Sequence, residues 1–305
     1  MLQHLEKKNI TMLPSLFRER MLVNRNYLLE LGTQELLQNY YLEAGIVMPD
    51  LQVLERPETA KLHWGWEAPT CQLRGHFLGH WLSAASSLIA SENDAALKAK
   101  LDEIINELAR CQELNGGEWI GPFPEKYFTR LEKELDIWSP QYVMHKLIMG
   151  LTHAYLYAGN EQALTIVRHL ADWYIRWTEK VQSTNPHAVY SGEESGMLEM
   201  WALLFETTKD PVYETLASRY SNPSLFRKLS EGKDALTNCH TNASIPWAHG
   251  AARMYEVTGD KKYKTIVELF WKCAVTDRGY FCTGSANSGE FWVPPFLSGQ
   301  YLNDR

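Results

Sequence analysis

A carboxylate near the end of the chain, Glu290, is the first candidate for chemistry. It lies in the stretch 283–299, whose glycines, small polar residues and paired prolines cannot continue the helical pattern before it. Phe291 and Trp292 follow it directly. A carboxyl held against aromatic rings is poorly solvated, which raises its pKa and suits it to donate a proton near neutral pH. We therefore predict that Glu290 is a proton donor; the alternative is a surface glutamate in a polar loop.

A second group of carboxylates, Glu193, Glu194 and Glu199, adjoins a helical stretch that is apolar nearly all round. Buried carboxylates need partners, and sugar hydroxyls or an arginine would serve. We predict that Glu193 and Glu194 bind substrate. The alternative for these two is a solvated helix start, where the helix dipole favours acids.

Three histidines are candidates for contact with a ligand. His76 and His80 are four residues apart on one helix, the spacing of a metal-ligand pair, but no acid lies between them. We instead predict that they line a substrate cleft together with Trp66, and we predict no metal ligand in this chain. His145 lies off the apolar stripe of its helix, and either a hydrogen-bonded core histidine or a ligand-binding one fits that position.

The five cysteines are scattered and form no CxxC pair, which fits a reducing compartment better than a disulfide framework. Cys71, Cys111 and Cys273 lie in or next to apolar helices, so we expect inert core thiols. Cys239 and Cys282 lie next to candidate site residues, and a chemical role stays open for both.

Composition excludes several classes of partner. The chain has 305 residues, with 30 lysines and arginines against 37 acids, a formal net charge of −7 and no basic block. Nucleic acid and anionic membranes are therefore not expected partners. No apolar run is long enough to span a membrane and the first residues are not a secretory leader, so we predict a cytoplasmic protein. The 11 tryptophans and 15 tyrosines suit a carbohydrate cleft, where rings pack on the apolar faces of sugars.

Helical hairpins are the elements that must position these residues. Apolar residues recur at spacings of three and four in successive segments, and no segment alternates as a sustained strand would. Turns at 159–160, 209–210 and 259–260 are about 50 residues apart, and a further turn lies at 93–94. Hairpins laid side by side bury their apolar stripes on each other, and closing the ring removes exposed ends. We predict an all-α toroid of inner and outer helices, a single domain over residues 1–305, with its cleft where the N-termini of inner helices converge.

Five stretches of the chain resemble the β-L-arabinofuranosidases of glycoside hydrolase family 127 and its relative, family 146. Each stretch is a weak signal alone, but their shared order over nearly the whole chain makes the resemblance specific. They are Leu73-Arg-Gly-His76-Phe-Leu-Gly-His80-Trp-Leu-Ser-Ala84, Trp138-Ser-Pro-Gln-Tyr-Val-Met-His145-Lys, Glu193-Glu194-Ser-Gly-Met-Leu-Glu199, Asn238-Cys-His240-Thr-Asn-Ala-Ser-Ile-Pro246 and Thr283-Gly-Ser-Ala-Asn-Ser-Gly-Glu290.

The resemblance implies a six-hairpin (α/α)6 barrel that releases L-arabinofuranose from the non-reducing end of β-L-arabinofuranosides with retention of configuration. Such enzymes use a cysteine thiolate as nucleophile, held on zinc by further cysteines and a glutamate. Glu290 matches the position of the family's proton donor, and His145, Glu194 and His240 match positions that contact the sugar. Glu194 departs from the family pattern, because a histidine is often found there.

By this match the family's zinc ligands, including the nucleophile, fall beyond residue 305. The resemblance therefore implies zinc as a cofactor whose ligands are not in this chain, a toroid without its last helices or any C-terminal β-sandwich, and an isolated chain that is inactive. We expect an arabinose-containing oligosaccharide or glycan as partner, and exposed apolar surface at the gap that favours a homodimer. Two alternatives stay open. One is another α/α-toroid enzyme, such as an unsaturated uronyl hydrolase or a sugar epimerase, and the other is a non-catalytic glycan-binding paralogue.

Overall fold

The computed structural model of the protein describes residues 6–47, 62–221, 223–279 and 286–301. In these ranges the chain forms twelve α-helices and one hairpin of two-residue strands, β1 Asn287–Ser288 and β2 Phe291–Trp292. This confirms the prediction of an all-α fold class. None of the helices in the described ranges combines the length and the apolar character that a membrane span needs. The helices are α1 Leu16–Glu30, α2 Thr33–Glu43, α3 His76–Glu92, α4 Ala95–Leu114, α5 Lys126–Glu132, α6 Pro140–Ala158, α7 Glu161–Thr184, α8 Met197–Thr208, α9 Pro211–Tyr220, α10 Ser224–Ser230, α11 Thr241–Thr258 and α12 Lys261–Trp271.

The chain divides into two compact units, Met1–Trp177 and Thr178–Arg305, which are called the first and the second unit below. Each unit is built mainly from helical hairpins, with α3/α4 in the first and α8/α9 and α11/α12 in the second. The prediction that residues 1–305 form a single domain is not tested by this division and stays a prediction.

The predicted hairpin turns are present, and local chemistry accounts for them. At three of the four turns an aspartate caps the second helix by accepting backbone N–H groups, as Asp94 does from Ala96 and Leu97. The residue that ends the first helix has left-handed backbone, which lets the last carbonyls of the helix be satisfied before the chain turns back. These helix-ending residues are Asn93, Gly159, Lys209 and Gly259.

In the first unit, α3 and α6 lie side by side and run parallel. Two glycines allow the close approach: a Cβ on Gly79 would lie 2.0 Å from the carbonyl oxygen of Lys146, and one on Gly150 would lie 2.6 Å from that of Gly79. Early residues of one helix meet early residues of the other, and later residues meet later ones, as Ser83 Oγ does His153 Nδ1 at 2.7 Å. The two helix starts therefore lie at the same end of the pair.

In the second unit, α8 and α11 are also parallel neighbours. Glu194, just before α8, contacts Trp247 in the second turn of α11. One turn further along, a Cβ on Gly250 would lie 2.9 Å from Leu198 Cβ. The starts of α8 and α11 thus lie together, which brings the loops before them to one end of this helix pair.

Candidate functional site

The carboxylate of Glu290 lies at the tip of the β-hairpin. β1 and β2 pair antiparallel, and the two residues between them, Gly289 and Glu290, both have positive φ angles, 53° and 73°. Two successive positive φ angles are typical of a type I′ turn, whose twist matches that of the strands it joins. A glutamate rarely adopts this conformation because its Cβ crowds the backbone, so the turn holds Glu290 in a strained position. This hairpin could not be predicted from the sequence, because two-residue strands are too short to show alternation.

Backbone hydrogen bonds tie the hairpin to the start of α11. The amide of Thr241 donates to the carbonyl of Glu290 at 2.8 Å, and His240 forms an antiparallel bridge with Phe291. The segment before α11 therefore acts as a third short strand. Because Thr241 is the first residue of α11, the Glu290 carbonyl accepts one of the N–H groups that a helix start leaves unpaired.

This arrangement brings two predicted site residues together. His240 Nε2 lies 3.5 Å from Glu290 Oε2, and the ring centre of His240 lies 5.6 Å from that of Phe291 in an edge contact. The Glu290 side chain is 81% exposed, which differs from the expected carboxyl held against aromatic rings. The turn is the reason, since it places the carboxylate at the hairpin tip, beyond the rings of the strand that follows. The group that reaches the carboxylate is the imidazole of His240.

Two buried side chains, Trp292 and Arg278, anchor the hairpin. Sequence reasoning identified Trp292 only as a ring beside the candidate acid and missed Arg278. Trp292 Nε1 donates to Ser244 Oγ at 2.7 Å, and both residues are buried. The guanidinium of Arg278, which is also buried, donates to the carbonyl of Val293 at 2.6 Å and to the carboxylate of Asp234 at 2.6 Å. A buried charge is costly without such partners. Arg278 thus joins the end of the hairpin to the loop that precedes α11.

Glu194 is a buried carboxyl at the start of α8. It is 4% exposed, and its Oε1 accepts a hydrogen bond from Trp247 Nε1 at 3.2 Å. Burial raises the pKa of Glu194 to about 7, against the opposing effect of that hydrogen bond and with help from the charge of Glu193. The alternative of a solvated helix start is therefore wrong for Glu194. Glu193, the residue before Glu194, is half-buried and has left-handed backbone, with φ 58°. The backbone next to the Glu194 carboxyl is therefore strained, as it is at Glu290.

His145, a predicted sugar contact, is buried on α6 in the first unit. Burial lowers its pKa well below the usual value, and the charges of Lys146, His80 and His153 lower it further. The imidazole therefore stays neutral near pH 7, where it can donate one hydrogen bond and accept another. Burial, together with the charges of Lys146 and His76, also lowers the pKa of His80, to about 4.

The other predicted residues of the first unit, His76, His80 and Trp66, lie together at the start of α3. The ring centre of His76 is 6.0 Å from that of His80 and 6.3 Å from that of Trp66. His76 Nδ1 also lies 2.7 Å from the carboxylate of Glu67, a residue that sequence reasoning missed. That these side chains bind substrate stays a prediction.

The described residues do not fit the zinc and thiolate chemistry that the family resemblance implies. Within the described ranges no group of three or more His, Cys, Asp or Glu side chains is placed to hold a metal ion. Cys111 and Cys273 are buried, and burial raises the pKa of Cys111 to about 12 and that of Cys273 above its usual value. Cys71 and Cys239 are half-buried and form no disulfide. Cys282 lies outside the described residues.

The sequence matches a family model, and the fold matches a solved structure. Residues 9–302 match the family model of the β-L-arabinofuranosidase GH127 catalytic domain. The fold resembles the crystal structure of a GH127 β-L-arabinofuranosidase from Geobacillus stearothermophilus T6, with a TM-score of 0.63 and 15% sequence identity. That match covers 94% of this chain and 49% of the other, so the chain spans about half the length of this relative. No curated protein matches the chain. The shared fold agrees with the predicted α/α toroid, while its incompleteness at the C-terminal end stays a prediction.

Proposed function

The chain belongs to the family of GH127 β-L-arabinofuranosidase catalytic domains, and we propose that it serves a glycoside hydrolase that releases L-arabinofuranose from the non-reducing end of β-L-arabinofuranosides. The observation that carries this proposal is the pairing of Glu290 with His240 at the start of α11. The expected partner is an arabinose-containing oligosaccharide or glycan.

In the proposed reaction Glu290 is the general acid. A glycosidic oxygen needs a proton as its bond to the sugar breaks, and a carboxyl within hydrogen-bond reach supplies it. The exposed position at the hairpin tip lets the Glu290 carboxyl meet a leaving group without displacing a side chain. His240 Nε2, 3.5 Å from Glu290 Oε2, orients the carboxyl and determines which of its oxygens faces the substrate.

The remaining predicted residues are proposed to bind sugar hydroxyls. Glu194 suits this role because a carboxyl with a pKa of about 7 can donate or accept a hydrogen bond near neutral pH. Glu193 and His240, which belong to the second unit like Glu194, are also proposed to contact the sugar. In the first unit the proposed substrate contacts are those of His145, His76, His80 and Trp66.

Retention of configuration is part of the proposal and requires a nucleophile on the face of the sugar opposite the acid. Because the described residues do not fit a zinc site, we assign no nucleophile among them and derive no step through zinc. The family resemblance implies that the isolated chain is inactive, and we propose that it still binds the sugar without hydrolysing the glycosidic bond.

Calorimetric titration with methyl β-L-arabinofuranoside tests the binding part. The wild-type chain is expected to bind this sugar and to discriminate against its α anomer. His240→Ala should weaken binding at least about tenfold, because it removes a proposed hydroxyl contact at the site centre. His249→Ala, an exposed histidine further along the same helix, is the matched control and should bind like the wild type. A wild-type chain that binds neither anomer would contradict the proposal.

The acid role is tested by changing the leaving group. Nitrophenolate leaves without protonation, whereas a methoxide does not, so loss of a general acid slows the methyl glycoside far more than the nitrophenyl one. In any preparation that hydrolyses both glycosides, Glu290→Gln should show this pattern. Glu268→Gln, which changes an exposed glutamate on α12, should not. Equal loss on both substrates would argue against Glu290 as the acid. Sugar binding with no turnover in any context would favour the non-catalytic glycan-binding alternative.

A further inference from the structure

We infer that α1 is the interface of a homodimer, in which the helix of one copy packs antiparallel on the same helix of a second copy. The contact surface is a row of exposed residues along one side of α1 and is called the α1 stripe below. It consists of Leu13, Leu16, Phe17, Arg20, Val23 and Tyr27. The inference is independent of the proposed function, and it gives the expected homodimer a defined surface in the first unit.

The apolar side chains of the α1 stripe are open to water. All five are between 48% and 76% exposed. Their spacing, mostly three and four residues, puts them on one side of the helix, so they form a continuous row. Exposed apolar side chains that lie singly are ordinary, but a contiguous patch of them indicates a surface that a partner covers.

A different side of α1 packs on the rest of the first unit, and charged groups hold it there. The Arg18 guanidinium donates to the Glu92 carboxylate at 3.2 and 3.4 Å, and that of Arg25 donates to the Asp94 carboxylate. Leu28, three residues after Arg25, is buried on this same side. A rotation of α1 that buried the α1 stripe would break both ion pairs. The stripe therefore stays outside unless a partner covers it.

Two opposite charges near the middle of the stripe make it complementary to itself. The side chains of Glu19 and Arg20 are exposed and have no hydrogen-bond or ion-pair partner among the described residues. In a two-fold pair, residue i of one copy contacts residue j of the other, and j contacts i. An antiparallel pair whose axis passes between residues 19 and 20 puts each Arg20 beside Glu19 of the second copy. The same pairing puts Leu16 opposite Val23, whereas a parallel pair would put Arg20 against its own copy.

The area of the α1 stripe is sufficient for a reversible homodimer. Judged from their exposed fractions, the five apolar side chains offer on the order of 600 Å² per copy, or about 1,200 Å² for two copies. Specific protein interfaces begin at about this size, and those at the lower end belong to weak complexes. We therefore expect a dissociation constant in the micromolar range.

A membrane surface fits the α1 stripe less well than a second copy does. Helices that lie on anionic membranes carry many lysines and arginines beside their apolar face. The helix has three arginines, but Arg18 and Arg25 are engaged in their ion pairs and Arg20 has Glu19 next to it. The charges that α1 leaves unpaired are thus of both signs, which suits a copy of the same helix.

Sedimentation equilibrium over a wide range of protein concentration tests the inference. The wild-type chain should follow a monomer–dimer equilibrium. Phe17→Glu puts a charge in the apolar row and should raise the dissociation constant at least about tenfold. Because Phe17 is exposed, this variant should keep the circular dichroism spectrum of the wild type. Trp271→Glu, which changes an exposed tryptophan on α12, is the control and should dimerise like the wild type.

A charge exchange tests the antiparallel pairing. Arg20→Glu puts carboxylates beside Glu19 of the second copy and should raise the dissociation constant about tenfold. The double variant Glu19→Arg/Arg20→Glu restores opposite charges across the interface, so its dissociation constant should return to near the wild-type value. If the exchange does not rescue the dimer, the antiparallel pairing is wrong.

The remaining outcomes would also overturn the inference. A wild-type chain that stays monomeric at every concentration has no such interface, and a dimer that Phe17→Glu leaves intact uses another surface. Loss of the dimer in the Trp271→Glu control would likewise move the contact away from α1. A monomer that cosediments with phosphatidylcholine–phosphatidylserine vesicles, and loses that binding in Phe17→Glu, would identify a membrane as the occupant. None of these results bears on sugar binding, which tests the proposed function separately.

Discussion

The buried carboxyl of Glu194 makes the stability of the protein depend on pH in a direction opposite to that of an acid whose pKa is lowered by an ion pair. Burial raises its pKa from 4.5 to about 7 in the folded protein. Between these two values the folded chain binds more protons than the unfolded one, so the free energy of unfolding falls as the pH rises. The stabilisation is present below pH 4.5 and is lost as the pH rises through 7. At about 1.4 kcal/mol per pKa unit, the loss reaches about 3 kcal/mol, and most of it falls between pH 5 and pH 8.

Glu194→Gln removes this titration. The glutamine oxygen can still accept from Trp247 Nε1, but its amide brings two buried donors that cost stability at every pH. Comparing pH 5 with pH 8 within each protein cancels that constant cost. The free energy of unfolding of the wild type should therefore fall by about 2 to 3 kcal/mol more than that of the variant over this interval.

Urea unfolding followed by circular dichroism at pH 5, 6, 7 and 8 measures the difference. Glu199→Gln, which removes a half-exposed carboxyl from the first turn of α8, is the matched control and should follow the wild type. Glu193→Gln should move the midpoint of the wild-type pH dependence downward, because the Glu193 charge helps to raise the Glu194 pKa. Parallel pH profiles for the wild type and Glu194→Gln would refute the reasoning, since no buried carboxyl would then be titrating.

Three further predictions concern packing and the second unit. Gly79→Ala should destabilise the protein by about 2 kcal/mol in urea unfolding, because its Cβ would meet the Lys146 carbonyl at 2.0 Å, whereas Gly299→Ala, with open space around it, should be neutral. Arg278→Met leaves the carbonyl of Val293 and the carboxylate of Asp234 without their buried partner. It should lower the free energy of unfolding by about 3 kcal/mol or more and weaken sugar binding. The apolar cavity of about 660 Å³ against α11 and α12 should bind a hydrophobic dye, and Trp271→Glu should reduce the dye fluorescence, whereas Trp66→Ala, which does not line the cavity, should leave it unchanged.

Much of the helical architecture could be predicted because its causes are local. The apolar spacing that marks a helix and the polar cap that begins the next one both lie within a few residues of each other, as at Asn93 and Asp94. The spacing of apolar residues does not predict which helices pack against each other. Only the structure reveals that Gly79 and Gly150 bring α3 and α6 into close contact, because that choice depends on surfaces far apart in sequence.

In the candidate site, too, local features could be predicted from the sequence and tertiary contacts could not. The motif around Glu290 identified the residue but not its environment, since the rings next to it in sequence are not the group beside its carboxylate. The partners that define the environments, Arg278 for the hairpin, Trp247 for Glu194 and Glu67 for His76, are each contributed by a different segment or by a residue with no spacing signal. Single-sequence reasoning has no access to such pairings, because they arise from tertiary packing.

The helix starts favour side chains, rather than backbone amides, as the groups that would contact the sugar in the proposed site. A helix start offers unpaired N–H groups that readily bind oxygen-rich ligands. In this protein the chain itself occupies some of them: the Glu67 carboxylate accepts from Phe77 at the start of α3, and the Glu290 carbonyl accepts from Thr241 at the start of α11. With those amides engaged, each helix start acts as a rigid support that fixes an imidazole, His76 in the first unit and His240 in the second. Substitutions that free the amides should therefore loosen these imidazoles before they unfold the helices, and histidine NMR line widths in Glu67→Ala, compared with Glu67→Gln, would detect it.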